Sequence, residues 1–246
     1  MKISFDILAD DLALSSIVPP VVRRGAYGEI ASIDGVPAAS LLGRYRPALP
    51  DLYIDGGKRW VESVNVDLYG YDADQEVAVV QARQFSRDKR RGWTNMRKTY
   101  FLCGFNEITR APFRHPVSHA AVLAAARKRP HDAVAPVRAA QRWMWQCTER
   151  QLADGIRQGD VLLVRERGEP KGVVPAGGDI VIVGGSHEVH ARRIAQDGGG
   201  MVYALNPLLV HTKHQHDPVT VEHDGWYSVR VAREQRAWSF ASRLGD

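Results

Sequence analysis

The chain has 246 residues, 44% of them apolar and 25% charged, which is enough to bury one large core or two small ones. No stretch reaches the roughly 18 apolar residues that a membrane-spanning helix needs. The N-terminus has one lysine and then acids inside its apolar run, which is not the build of a secretory signal. These features predict a cytoplasmic chain with no membrane partner, and the net charge of +5 permits a polyanionic partner without demanding one.

Pro19, Pro20, Pro37, Pro47 and Pro50 interrupt the first fifty residues. They predict a short N-terminal element, then irregular chain with one hairpin turning at Asp34-Gly35. From Leu52 to Phe105 the pattern is that of strands. DLYID, RWVESVNVDLY, EVAVVQAR and KTYFLCGF are rich in β-branched and aromatic residues and are separated by glycines or acidic turns.

Charge is segregated along this stretch. Residues 51–76 carry seven carboxylates against Lys58 and Arg59, and residues 83–110 carry eight basic side chains against Asp88 and Glu107. Neighbours of opposite sign pair across a sheet, which is one reading of these blocks. The other starts from RQFSRDKRRGWTNMRKTYF, where Arg87, Lys89, Arg90, Arg91, Arg97 and Lys98 interleave with Phe85, Trp93, Tyr100 and Phe101. Such mixtures neutralise phosphates and stack bases. Arg87 to Gly92 reads as the exposed loop of a basic hairpin, with Arg87, Lys89, Arg90, Arg91, Trp93, Arg97 and Lys98 as the nucleic-acid-binding set. RNA or DNA is the partner implied, although no RRM or KH sequence signature accompanies it.

Two helices are predicted next. Ser118 caps an alanine-rich run ending at Arg127, Lys128 and Arg129, with Pro130 as its stop. The second begins near Pro136 and runs to Asp154, closed by Gly155. Trp143 and Cys147 fall on its apolar stripe and read as core. Cys103 and Cys147 form no CxxC pair, which argues against a zinc ribbon or a thioredoxin-type site and favours two buried thiols.

Beyond Gly155 the chain is again rich in short strands: GDVLLVRE, DIVIVGG, MVYAL, LLVH, VTVEH and WYSVRVARE. Their close spacing suits a small barrel or sandwich. Asp160 reads as a turn residue leading into a strand. Arg236 to Leu244 reads as a short terminal helix.

Six of the nine histidines lie between His187 and His223. Imidazole is the commonest metal ligand, and a catalytic metal takes about three protein ligands and an open position. On strands, alternate residues share a face, so His190, His214 and His216 form the candidate metal set, for zinc, iron or manganese. His187 would then face the other way unless the glycines before it make a bulge. A metal-free reading assigns His190 and His216 to acid–base phosphodiester chemistry, with Tyr227 beside them and Arg192, Arg193 and Arg230 holding phosphate oxygens. Solvated histidines and plain surface arginines are the structural alternative to both. No GxxxxGK[ST], strand-borne GxGxxG or GxSxG occurs, so no nucleotide cofactor is expected.

Residues 158–234 resemble a recurrent bacterial β-domain with the order QGDVLL, HxH-R, HxxHxP, GxYxV and RE. The matching pieces are Gln158-Gly159-Asp160-Val161-Leu162-Leu163, His190-Ala191-Arg192-Arg193, His216-Asp217-Pro218, Gly225-Trp226-Tyr227-Ser228-Val229 and Arg233-Glu234. Arg192 replaces the second histidine of that pattern, and Lys213 occupies one HxxH position. The resemblance implies His190, His216 and Tyr227 as site positions and implies no activity.

The expected architecture is α+β: two β-rich modules joined by two helices, the first a mixed or antiparallel sheet, the second a small barrel or sandwich. The expected boundaries are 1–116, 117–155 and 156–246. The leading functional expectation is a bacterial or phage protein performing metal-assisted or histidine-based processing of nucleic acid. A non-enzymatic nucleic-acid-binding or assembly subunit with a protein partner, and a cupin-like metalloprotein acting on a small molecule, are the alternatives.

Overall fold

The computed structural model describes residues 20–49, 53–55, 60–88, 90–92, 94–106, 109–213 and 217–233. The predicted turn at Asp34-Gly35 forms with both φ angles positive, 48° and 79°, as a tight two-residue hairpin requires. It joins β2 (Ile30–Ile33) to β3 (Val36–Pro37), which with β1 (Val22–Arg24) makes a small antiparallel sheet. The helix α1 (Ala38–Arg44) packs beside it, inside a stretch that the sequence reading left irregular.

Next to this layer stands a five-stranded antiparallel sheet. Its order is β4 (Tyr53–Asp55), β5 (Trp60–Asp72), β6 (Val77–Asp88), β7 (Thr94–Phe105) and β8 (Pro112–Val117). Side chains alternate across the pleat, so one sheet serves two cores. Ala78, Val80, Ala82, Phe101 and Cys103 face Val22, Ile30 and Leu41 of the first layer. Val77, Val79, Tyr100 and Leu102 face the helices. Both β6 and β7 are longer than their apolar runs, and Arg87 sits within β6, not in a loop as the sequence suggested. The antiparallel ladder carries the polar residues along with the apolar ones.

The helical layer is α2 (His119–Lys128), α3 (Ala135–Trp145) and α4 (Glu149–Asp154). Ser118 caps α2 as predicted, its Oγ accepting the Ala121 N–H at 3.3 Å. The single helix expected from Pro136 to Asp154 is two. Gln146 adopts a left-handed conformation (φ 50°), and Thr148 opens α4 with a capping box to Gln151. That reciprocal cap satisfies two amides that a continuous helix would bond internally, and it fixes the break.

The remaining strands form two sheets. One has six strands, in the order β11 (Val173–Pro175), β14 (Ile194–Asp197), β15 (Val202–Leu205), β18 (Trp226–Val231), β10 (Val161–Arg165), β9 (Ile156–Gln158). The other has four: β12 (Ile180–Val183), β13 (His187–His190), β16 (Leu208–His211), β17 (Val219–Thr220). Val161, Leu163, Ala204, Tyr227 and Val229 of the first meet Val183, Val189 and Leu209 of the second, so the expected sandwich is present. Leu162 and Val164 point the opposite way, into the core formed by Met144 and Trp145 of α3. Each such buried aliphatic contributes about 1.5–3 kcal/mol, which ties the helical layer to both β modules. Among the described residues no helix is long and apolar enough to cross a membrane. The N-terminal element and the Arg236–Leu244 segment lie outside the described residues.

Candidate functional site

The residues of β13 alternate inward and outward: His187 and Val189 are buried, Glu188 and His190 half-buried. His187 and His190 therefore occupy opposite faces of the four-stranded sheet. On the outer face, His190 Nε2 meets the Glu188 carboxylate at 2.8 Å. On the inner face, His187 stands opposite His211 in the β13–β16 register, their rings edge to face with centroids 4.8 Å apart.

A carboxylate from the other sheet completes this inner group. The β9–β10 turn places Asp160 Oδ1 3.3 Å from His187 Nδ1, and Ser186 Oγ lies 3.1 Å from the same nitrogen. The turn is fixed through its backbone, since the Asp160 carbonyl accepts the Trp145 indole N–H at 2.9 Å and the Ala232 N–H at 2.8 Å. Gly184, at φ +59°, lets the β12–β13 loop approach closely. A Cβ there would lie 3.3 Å from Val231 Cγ1 and 3.4 Å from Asp160 Oδ2.

The ring nitrogens have different partners. His187 Nδ1 has two oxygens beside it, the Ser186 hydroxyl and the Asp160 carboxylate. His211 Nδ1 accepts the backbone N–H of Lys213 at 3.1 Å, which puts the proton of the neutral ring on Nε2. His187 and His211 are only 2% and 1% exposed, so a large substrate does not reach them in this conformation.

The other sequence candidates are dispersed. His214 and His216, two of the three expected metal ligands, lie outside the described residues. Among the described residues no group of three or more His, Cys, Asp or Glu side chains is arranged to hold a metal. Tyr227 is buried in the sandwich, its OH donating to the His223 carbonyl at 2.8 Å, and burial raises its pKa. Arg230 is on the opposite face of β18 and reaches the Gln146 carbonyl. Arg192 is exposed in the bend after β13. Arg193 pairs with Glu169 and covers the Trp226 ring at 5.1 Å. The sequence reading passed over Asp160 and His211 as site residues.

The basic hairpin is the second candidate. Asp88 organises its turn by accepting the N–H groups of Arg90 and Arg91 at 2.8 and 2.7 Å, and the bond from Arg91 does most to lower its pKa. Arg87, Arg90, Arg91, Arg97 and Lys98 are exposed. Lys89 and Trp93 lie outside the described residues. Pairing across the sheet accounts for part of the charge segregation: Arg83 holds Asp67 through two contacts of 2.8 and 3.0 Å, and Arg110 pairs with Glu76. Among the described residues, no carboxylate forms a salt bridge with Arg87, Arg90, Arg91 or Lys98.

One face of this ribbon carries more than charge. Phe85 is paired directly with Met96, and Arg83 with Lys98, while Arg87 follows two positions beyond Phe85 on the same face. Phe85 is half-buried and Met96 is 49% exposed. The order along the face is cation, apolar pair, cation, with about 7 Å between steps of two residues. Lys98 and Arg87 are the outer cations, Arg83 being engaged by Asp67.

No protein-family model, curated protein or solved structure matches this chain.

Proposed function

We propose that this chain binds single-stranded nucleic acid along the β6–β7 ribbon. The cross-strand pair of half-buried Phe85 and exposed Met96, flanked by Arg87 and Lys98 on one face, is the observation that carries the reading. The Phe85 ring stacks against a base with Met96 as an apolar contact beside it, and adjacent cations neutralise the phosphates on either side. The Arg90–Arg91 turn extends the positive surface at the tip, and Arg97 adds a cation on the reverse face.

Fluorescence anisotropy with single-stranded RNA and DNA 20-mers tests this. Affinity falls linearly with the logarithm of salt concentration, by about 0.7 log units per phosphate contact for each tenfold rise. The combined variant Arg87→Ala, Lys98→Ala loses about one to two of those contacts. Binding that is absent, or that ignores salt, removes the proposal.

The Asp160–His187 contact favours a second reading, histidine-based chemistry in the sandwich. Its support is the edge-to-face pair of His187 and His211 with the Asp160 carboxylate beside it. Burial restricts it to a state in which the cluster opens. Nuclease assays on His187→Ala and His211→Ala separate this reading from simple binding, since only chemistry makes cleavage, and not affinity, depend on these residues.

A further inference from the structure

A cavity of about 370 Å³ lies between the β5–β6 turn, α3, α4 and the β9–β10 hairpin. Leu152, Ala153 and Leu162 supply its apolar walls, and Gln141 faces it from α3. Small-molecule sites are of this size and combine apolar walls with a few fixed polar groups.

The charged side chains at the cavity are engaged. Glu149 meets Arg142 at 3.2 Å and Arg138 at 3.7 Å, and the Arg157 guanidinium lies over the Trp145 ring, 5.8 Å from its centroid. Charge therefore does not select the ligand, and the hydrogen-bonding group that remains is an amide. Gln141 is 2% exposed, and its Nε2 donates to Gln75 Oε1 at 2.7 Å. The direction of that bond is set in the β5–β6 turn. Asp72 Oδ2 accepts the Gln75 Nε2–H at 2.9 Å, while Asp72 Oδ1 accepts the backbone amides of Asp74 and Gln75. With its NH2 committed to a carboxylate, Gln75 turns its carbonyl to Gln141, which answers with its own NH2.

The Gln141 carbonyl oxygen is thereby left at the cavity without a hydrogen-bond partner among the described residues. A carbonyl removed from bulk water and lacking a donor is unfavourable, so a ligand that supplies an N–H gains that difference. The amide also keeps its second hydrogen, so it offers an acceptor beside a donor. Its complement is a flat edge with an N–H next to an acceptor, which is how a glutamine side chain reads a base. We infer that this cavity binds a nucleobase as its uncharged nucleoside. The Gln141 amide takes the base edge, and Leu152, Ala153 and Leu162 cover the ring. The site shares no residue with the β6–β7 ribbon, and an uncharged nucleoside offers Arg87 and Lys98 no phosphate.

Isothermal titration of the full chain with adenosine and with uridine tests the site, alongside the analogues methylated at the exocyclic amine of adenine and at the ring N–H of uracil. The expected result is saturable binding of adenosine or uridine, independent of salt, and weaker by about tenfold or more for its methylated analogue. Gln141→Leu weakens binding to a similar extent. Ala153→Trp fills the cavity from an exposed helix position with the amide retained, and it abolishes binding while the thermal midpoint stays near that of the parent. Four results overturn the inference: no saturable binding of either nucleoside by the parent, equal affinity for the methylated analogue, parental affinity in Ala153→Trp, or loss of binding in the Arg87→Ala, Lys98→Ala variant. The last control separates this cavity from the nucleic-acid ribbon, so either proposal can fail alone.

Discussion

His187 and His211 face each other directly across β13 and β16, edge to face, inside the C-terminal sandwich. Asp160, from the opposing sheet, engages His187 Nδ1 at 3.3 Å. Three polar residues at a sheet–sheet junction are costly unless they satisfy one another. His187→Ala is expected to destabilise the fold by about 2–4 kcal/mol, because it opens a cavity between the sheets and removes the ring beside Asp160. Urea unfolding measures this directly. A loss below half a kilocalorie would show that the contact does not hold the two sheets together.

Gly184 is the backbone counterpart of that contact. Its φ of +59° and its closeness to Val231 and the Asp160 carboxylate leave poor room for a methyl group. Gly184→Ala should cost about 1–3 kcal/mol, with the same sign whether strain or steric displacement dominates. Gly185→Ala (φ +76°, with nothing within 4 Å of its Cβ) isolates the strain part.

The buried phenols set an alkaline limit. Tyr45 and Tyr69 have strongly raised pKa values, first through burial and then through their neighbours Tyr71 and Tyr100. Below the ordinary tyrosine range both states keep the proton and stability does not change. Above about pH 10 the unfolded chain loses protons that the native state retains, so stability falls as pH rises. Thermal midpoints should be level from pH 8 to 9.5 and decline beyond. Tyr45→Phe should make that decline shallower.

Burial raises the Cys103 thiol to about 12, so at pH 8 it is protonated as well as enclosed. Cys147 is only half-buried. A disulfide reagent such as DTNB should therefore modify Cys147 but not Cys103 in the native protein, and both thiols once denaturant is added. Fast native modification of Cys103, located by mass spectrometry, would contradict the packing of the first two layers.

Much of the fold was legible because apolar periodicity is a local property. The long strands of the five-stranded sheet, the Ser118 cap and the Asp34-Gly35 turn each follow from a few adjacent residues. Pro112 and Pro116 hid β8, which tolerates them because it is an edge strand. Pro175 likewise marks the edge strand β11. The break before α4 was written in Thr148 and Gln151, but an amphipathic stripe running through it suggested continuity. The site was harder to read. Alternation separates His187 from His190 in any regular strand, yet pairing His187 with His211 needs the β13–β16 register. Bringing Asp160 to them needs the stacking of two sheets, and no local pattern encodes either.

The ribbon was visible as a basic, aromatic-bearing segment, and the register added which of its residues share a face. Photo-crosslinking of a 5-iodouridine-containing single-stranded RNA, followed by tryptic peptide mapping, tests that face most directly. The proposal predicts adducts on Phe85 in the peptide Gln84–Arg87 and on Met96 in the peptide Gly92–Arg97, lost together in the Arg87→Ala, Lys98→Ala variant. Adducts confined to the C-terminal sandwich, or none above background in low salt, would contradict it.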